Sequence, residues 1–317
     1  MYTSIVVPLD GSDFGMCALP VALALAKRSD AKVHLVHVRE PIVFPEGGPK
    51  VYDSRDQGIR VALTAMATRL AREASVEVAA AFLEGPAVPT IQRYLAEHGQ
   101  DLLVMMTHGR GGLSRWWLGS IADGLIRHAS VPLLLLRQEC AWLADASEPL
   151  FRRVLVPLDG SSVADQVLDH VMSLGTPDVT VYVLLTVVVP ATETTVFAGA
   201  PDDVQQRETA LSYLDAVADE LRKGEALVEV LVISHAHAAQ AILDTAHEQQ
   251  VDLIALSTHG RGGMSRVMQG SVADKVVRGA TVPVLVYRPS LPDPELVPNS
   301  RDAATGTTRT GAASAAA

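Results

Sequence analysis

Two stretches of the chain bring glycine, arginine, histidine and serine together at one spacing. The first is Thr107-His108-Gly109-Arg110-Gly111-Gly112-Leu113-Ser114-Arg115-Trp116-Trp117-Leu118-Gly119-Ser120. The second is Thr258-His259-Gly260-Arg261-Gly262-Gly263-Met264-Ser265-Arg266-Val267-Met268-Gln269-Gly270-Ser271. Three clustered glycines let backbone N–H groups come close to an anion. Gly-Ser then opens a predicted helix, where the serine can cap and the positive end of the dipole favours phosphate. Arg110, Arg115, Arg261 and Arg266 add cations to a chain whose net charge is −10. The bland alternative is a glycine-rich turn whose serine does no more than cap. Duplication of the whole block weighs towards an anion site.

Other chemistry fares less well. There is no G-x-x-x-x-G-K-[ST] phosphate loop. A dinucleotide fingerprint starting at Gly109 would need glycine at 114, where Ser114 stands, and would follow a first strand rather than a fourth. No G-x-S-x-G nucleophile elbow occurs. Asp10 and Asp159 each sit in Pro-Leu-Asp-Gly-Ser, where an aspartate can cap the next turn, contact a ligand, or do both. His108 and His259 lack a neighbouring nucleophile and read as structural loop residues. His235 and His237, two residues apart, supply at most two metal ligands. The first half has Glu84 and Pro86 in their place, so they read as turn residues. Trp116-Trp117 is expected to pack against a neighbouring domain rather than stack on a base. Cys17 and Cys140 have no ligand-like spacing and are expected to be reduced thiols.

The elements that position these blocks are written twice. Ser4-Ile5-Val6-Val7-Pro8-Leu9-Asp10-Gly11-Ser12 returns as Arg153-Val154-Leu155-Val156-Pro157-Leu158-Asp159-Gly160-Ser161. Asp101–Arg137 returns as Asp252–Arg288 with 20 of 37 positions identical. So long a period means a duplicated domain rather than a solenoid repeat. Strands are predicted at Ser4–Pro8, Lys32–Val38, Val76–Phe82, Asp101–Met106 and Pro132–Arg137. Helices are predicted at Asp13–Ser29, Gln57–Ala74, Ala87–His98 and Gly119–His128. The second half repeats the strands at Arg153–Pro157, Val179–Val187, Val228–Ile233, Asp252–Ser257 and Pro283–Tyr287. Near-continuous Val/Leu/Ile runs demand burial on both faces, and their alternation with helices predicts parallel sheets. The expected fold is therefore α/β: two tandem doubly wound, Rossmann-like domains, each with a five-stranded parallel sheet. Domain one spans 1–138, a linker 139–150, domain two 151–289, and a tail, 290–317, is expected to be disordered. Arg39–Arg55 and Val188–Asp203 read as variable loops. The last strand of each half is apolar and lies at a sheet edge that needs covering.

The whole composition agrees. A chain of 317 residues, 48% hydrophobic and 20% charged, suits about two globular domains. Its acidic balance repels phosphate backbones and anionic lipid, so neither nucleic acid nor membrane is an expected partner. The N-terminus has no basic leader, and the longest apolar stretch, Val179–Ala191, is shorter than the ~20 residues a bilayer requires. A cytoplasmic location is expected.

Both halves resemble the universal stress protein domain, in its tandem form. The ATP-binding branch carries G-x2-G-x9-G-[ST] after strand four. Gly109 with Gly119-Ser120, and Gly260 with Gly270-Ser271, match its second part. The resemblance spans almost all of residues 1–289. It implies ATP across the carboxyl edge of each sheet, with a divalent ion held by the phosphates. The nucleoside side would be formed by Pro8, Leu9, Asp10 and Val38 in one half, and by Pro157, Leu158, Asp159 and Val187 in the other. The triphosphate would be wrapped by His108, Gly109, Arg110, Gly112, Gly119, Ser120 and Ile121, and by His259, Gly260, Arg261, Gly263, Gly270, Ser271 and Val272. The pattern's first glycine is replaced by Met106 and by Ser257, which predicts unequal sites. The family also pairs its last strands about a two-fold axis, so the two halves are expected to form an internal pseudo-dimer; a further homodimer is not legible. A stress-response regulator or accessory protein is implied, with at most slow ATP hydrolysis. The alternatives are an interaction module of the same fold that binds no nucleotide, and an adenylating enzyme, whose Ser-Gly-Gly-x-Asp-Ser-like loop is missing.

Overall fold

Ten short runs of Val, Leu, Ile and Ala form strands: β1 (Ser4–Pro8), β2 (Lys32–Arg39), β3 (Val78–Glu84), β4 (Leu102–Met106), β5 (Leu133–Leu136), β6 (Arg153–Pro157), β7 (Val181–Val188), β8 (Leu227–Ser234), β9 (Leu253–Ser257) and β10 (Val284–Tyr287). The computed structural model describes residues 1–40, 54–107, 118–137, 149–190, 202–258 and 271–289. The proposed tail, nearly all of the linker and most of both variable loops lie outside the described residues. The helices are α1 (Asp13–Met16), α2 (Leu19–Ser29), α3 (Ser54–Ala74), α4 (Ala87–Glu97), α5 (Ser120–His128), α6 (Ser162–Asp165), α7 (Val167–Leu174), α8 (Asp203–Lys223), α9 (Ala238–Glu248) and α10 (Ser271–Gly279).

The strands form one ten-stranded sheet in the order β3-β2-β1-β4-β5-β10-β9-β6-β7-β8. Within each half every pairing is parallel, as burial of both faces requires. The halves meet through an antiparallel β5–β10 pair, with Leu133 opposite Val286, Leu134 opposite Leu285 and Leu135 opposite Val284. The apolar strands that a separate domain would expose thus cover one another. Because that pair is antiparallel, the carboxyl edges of the two half-sheets face opposite ways.

Side-chain alternation along the strands divides the core into two layers. Ile5, Val7, Leu35, Leu134, Phe151, Leu184 and Leu285 belong to one cluster, beneath α2, α3, α7 and α8. Val6, Leu103, Leu135, Leu155, Leu256 and Val284 belong to the other, beneath α4, α5, α9 and α10. Each layer runs through both halves without a break.

Several sequence expectations shift. The single helix expected at Asp13–Ser29 is two, α1 and α2, and α6 and α7 repeat the break. Pro20 suits the first turn of α2, where no backbone donor is needed. Since the second half bends without a proline, the break reflects how the short helix crosses the strand ends rather than one residue. Strand β3 starts at Val78 rather than Val76, because Ser75 ends α3 with φ 56 and Val78 is the residue that pairs with Val33. Arg39 and Val188, expected to open loops, complete β2 and β7. Val188 pairs with Ser234 as Arg39 pairs with Glu84, so the position equivalent to His235 in the first half is Gly85 rather than the expected Glu84: His235 donates its N–H to Val188 as Gly85 does to Arg39.

Candidate functional site

Each half-sheet ends in the same device. Leu9 follows β1, and its N–H donates to the Val36 carbonyl at 2.8 Å. Leu158 donates to Leu185 at the same distance. The next residue turns the chain. Asp10 Oδ1 accepts from the Ser12 N–H (2.9 Å) and hydroxyl (2.5 Å), and Asp159 Oδ1 accepts from the Ser161 N–H (3.0 Å) and hydroxyl (2.6 Å). The serine caps the helix: Ser12 Oγ accepts from the Gly15 N–H at 3.0 Å, and Ser161 Oγ from the Ala164 N–H at 3.2 Å. The aspartates therefore hold the caps, and are not the caps themselves. Both remain exposed on the carboxyl edge.

Beside them stand the ends of β4 and β9. Met106 is only 8% exposed and lies in the same core cluster as Leu9, with Phe14 and Met16 packed against it. Its counterpart Ser257 has a hydroxyl oxygen that is buried with no hydrogen-bond partner among the described residues. Beyond them, Thr107 and Thr258 are buried, and their N–H groups donate to Leu136 and Tyr287 at 3.0 and 2.9 Å.

The chain returns at Gly119, whose N–H donates to the Thr107 carbonyl at 3.1 Å. Gly119 is the N-cap of α5, with φ −60 and ψ 149, and makes no side-chain cap bond. Ser120 is the first helical residue rather than the cap the sequence suggested. The first-turn amides of α5 that a cap side chain would reach, at Ile121 and Ala122, therefore have no acceptor from the cap position. A Cβ on Gly119 would meet the Thr107 carbonyl oxygen at 3.5 Å, an ordinary contact, and the backbone angles suit any residue. Packing among the described residues does not call for glycine here. In the second half α10 begins at Ser271, and Val272 in its first turn is exposed.

Val38 and Val187, expected to border a base, also fall at this edge. Val38 lies opposite Leu83 and Val187 opposite Ile233, each partly buried near strand ends. Sequence reasoning missed what surrounds them. His37 Nδ1 lies 2.8 Å from the Leu9 carbonyl, which can only accept, so this nitrogen carries the proton. Thr186 Oγ donates to the Leu158 carbonyl at 2.9 Å in the equivalent place. Arg39 bridges Asp56 (2.8 Å) and Glu84 (3.1 Å), and Arg60 reaches Glu84 (3.4 Å) while lying 4.0 Å over the Phe82 ring. The matching rung of the second half is Val188 with Ser234, so among the described residues the first edge alone carries this ionic network. An Asp-x-Ser pair after a strand was the available signal for Ser12 and Ser161. Nothing local in the sequence foretold Arg39 with Glu84, which meet only through strand register.

The edge thus collects Pro8, Leu9, Asp10, Val38, Met106, Gly119, Ser120 and Ile121 in one half. In the other it collects Pro157, Leu158, Asp159, Val187, Ser257, Ser271 and Val272. His108, Gly109, Arg110, Gly112, His259, Gly260, Arg261, Gly263 and Gly270 lie outside the described residues, as do Trp116-Trp117 and Cys140. Cys17 is a free, exposed thiol. His235 Nδ1 accepts the His237 N–H at 3.0 Å, a local turn. Among the described residues no group of three or more His, Cys, Asp or Glu could hold a metal ion, and no helix is long and apolar enough to cross a membrane.

The fold is that of a duplicated α/β protein, with the same Asp-x-Ser corner at the carboxyl edge of each half. The model of the universal stress protein family matches twice, over residues 1–137 and 150–288, and the chain belongs to that family. It is 28% identical over 301 residues to a universal stress protein of Mycobacterium tuberculosis, an alignment covering 90% of this chain and 97% of that one. One from Methanocaldococcus jannaschii is 32% identical over 144 residues, 44% of this chain and 84% of its own. Among solved structures, a universal stress protein of Archaeoglobus fulgidus superposes with a TM-score of 0.65 at 20% identity, covering 90% of this chain and 96% of that one. At that identity the likeness establishes the fold.

Proposed function

We propose that the chain is an adenine-nucleotide-binding stress-response regulator of the cytoplasm that takes ATP at both carboxyl edges. The observation that carries this reading is the start of α5. Its cap is a glycine that neither backbone geometry nor packing among the described residues requires, and it offers no side-chain acceptor to the helix's first amides. Glycine there leaves room for a bound phosphate to accept from those amides, and the helix dipole adds to the attraction. Asp10 and Asp159, held by their serines, face the nucleoside. Val38 and Val187 border the base. Any divalent ion is carried by the phosphates, since no cluster of metal-ligating side chains was found among the described residues.

The two edges are unequal. Ser257 presents a buried hydroxyl that lacks a partner and can donate to a ligand oxygen, whereas Met106 presents a core side chain. The second edge is the tighter one. An interaction module without nucleotide is the competing reading, favoured in the first half by Met106.

Gly119→Asp and Gly270→Asp, made singly in the full chain, place a carboxylate where phosphate should sit. Each is expected to remove one of two ATP sites in a calorimetric titration, with the loss of affinity greater for Gly270→Asp. The full chain is needed because separated halves would expose β5 and β10. Unchanged stoichiometry in both variants, with no ATP-induced rise in melting temperature of the wild type, would overturn the assignment.

A further inference from the structure

The repeat supplies an internal control for the seam between the halves. At one junction the residue before the first strand, one on the second helix, and the last of the fifth strand are Phe151, Val21 and Leu136, all buried in one apolar cluster. At the other junction the equivalent three positions hold Tyr2, His170 and Tyr287. There the imidazole of His170 lies between two phenol rings: nearly parallel to Tyr2 (6°) at 6.4 Å, and 4.2 Å from Tyr287. The Tyr2 hydroxyl donates to the His170 carbonyl at 3.1 Å. At one junction these three side chains are all apolar; at its twin one of the three is a titratable ring.

We propose that His170 is a one-sided acid-sensitive latch between the halves, closed while its ring is neutral and loosened when the ring takes up a proton. The groups facing it are few. Tyr287 comes from β10 and Tyr2 from the segment before β1. Asp101, ahead of β4, already accepts from the Thr3 N–H and hydroxyl and the Ser4 N–H at 2.7, 2.8 and 3.0 Å. Arg28, at the end of α2, is committed to the last carbonyls of α7, Ser173 (3.2 Å) and Leu174 (2.6 Å). Asp169 is the neighbour on α7 itself. Strand β9 beneath, Leu253–Ser257, contributes no titratable side chain.

Burial holds the His170 pKa below its ordinary 6.5, against the weaker pull of Asp169 and Asp101. The sign follows from linkage. An unfolded chain takes up the proton near pH 6.5 before the folded one does, so stability is full above that pH. It is lost as pH falls from there through the folded value. Tyr287, against the ring, accepts through its carbonyl the N–H of Thr258, the first residue of the second glycine block, so the latch lies next in the sheet to the candidate site. The inference does not depend on ATP binding.

The test uses the full chain and His170→Val, which installs the residue of the apolar twin, together with His170→Gln to assign the His170 ring signal by NMR. The expected midpoint of that signal is below 6.5. Between about pH 7.5 and 5.5 the wild type should lose about 2 °C or more of melting temperature beyond the loss seen in His170→Val. The difference between proteins isolates His170 from His34, whose pKa burial also lowers. A midpoint at or above 6.5, or equal pH dependence in wild type and variant, overturns the latch. Should His170→Val not fold, the midpoint alone decides.

Discussion

The hydroxyl of Ser257 is the most informative single group on the second edge. A buried donor with no acceptor costs about 1–3 kcal/mol, a penalty that a ligand oxygen would remove. Ser257→Ala should therefore leave the free protein as stable or more stable in urea denaturation while weakening ATP binding at the second edge. A clear loss of stability without ligand would show that the hydroxyl already has a partner. Met106, its twin, has traded that donor for core packing, so the two halves diverge at a position where one side chain cannot serve both ends.

At the scale of the element, the strand-to-helix corner depends on a relay of three groups, Asp10 to Ser12 to the first amides of α1, repeated as Asp159 to Ser161 to α6. Replacing the serine by alanine removes the cap oxygen and the hydroxyl bond to the aspartate, while the backbone N–H bond to the aspartate stays. Ser12→Ala should cost about 1 kcal/mol by chemical denaturation, with Ser161→Ala similar, because the distances match in both halves. Asp10→Ala leaves the cap oxygen in place and should cost less. The reverse order would mean that the aspartate, rather than the serine, carries the corner. Helix α5 differs in kind: its glycine cap gives up this stabilisation, which is why the corner of α1 reads as structural and that of α5 as a binding feature.

Across the whole molecule, the seam decides behaviour. Both core layers pass through β5 and β10, and Arg278 of α10 reaches Asp123 of α5 at 3.3 Å, across the halves. Arg137, at the end of β5, donates to the Val277 carbonyl of α10. The chain should therefore unfold in one transition. Leu285, fully buried on β10, makes this testable: Leu285→Ala should cost about 2–5 kcal/mol. It should also lower the urea midpoint reported by the three tryptophans, Trp116, Trp117 and Trp142, all of which precede β6, as much as that reported by circular dichroism. Two separated transitions, with the tryptophan signal unmoved, would mean that the halves fold independently.

Much of this was legible in the amino-acid order alone. Repetition, apolar runs and Gly/Pro punctuation located all ten strands, most to within a residue or two at each end, because continuous burial imposes a local pattern that any parallel strand must carry. The Asp-Gly-Ser corners and the twin glycine blocks were visible for the same reason: both are short patterns of residue type that the repeat writes twice. What stayed hidden depends on partners far apart in the chain. The capping role of Ser12 over Asp10, the bridge from Arg39 to Asp56 and Glu84, the orphaned hydroxyl of Ser257 and the ring of His170 between Tyr2 and Tyr287 all arise when strands take their register and the halves dock. A residue's type is written locally, but its neighbours are set by packing, and those neighbours determine whether a polar group is satisfied, charged or left waiting for a ligand.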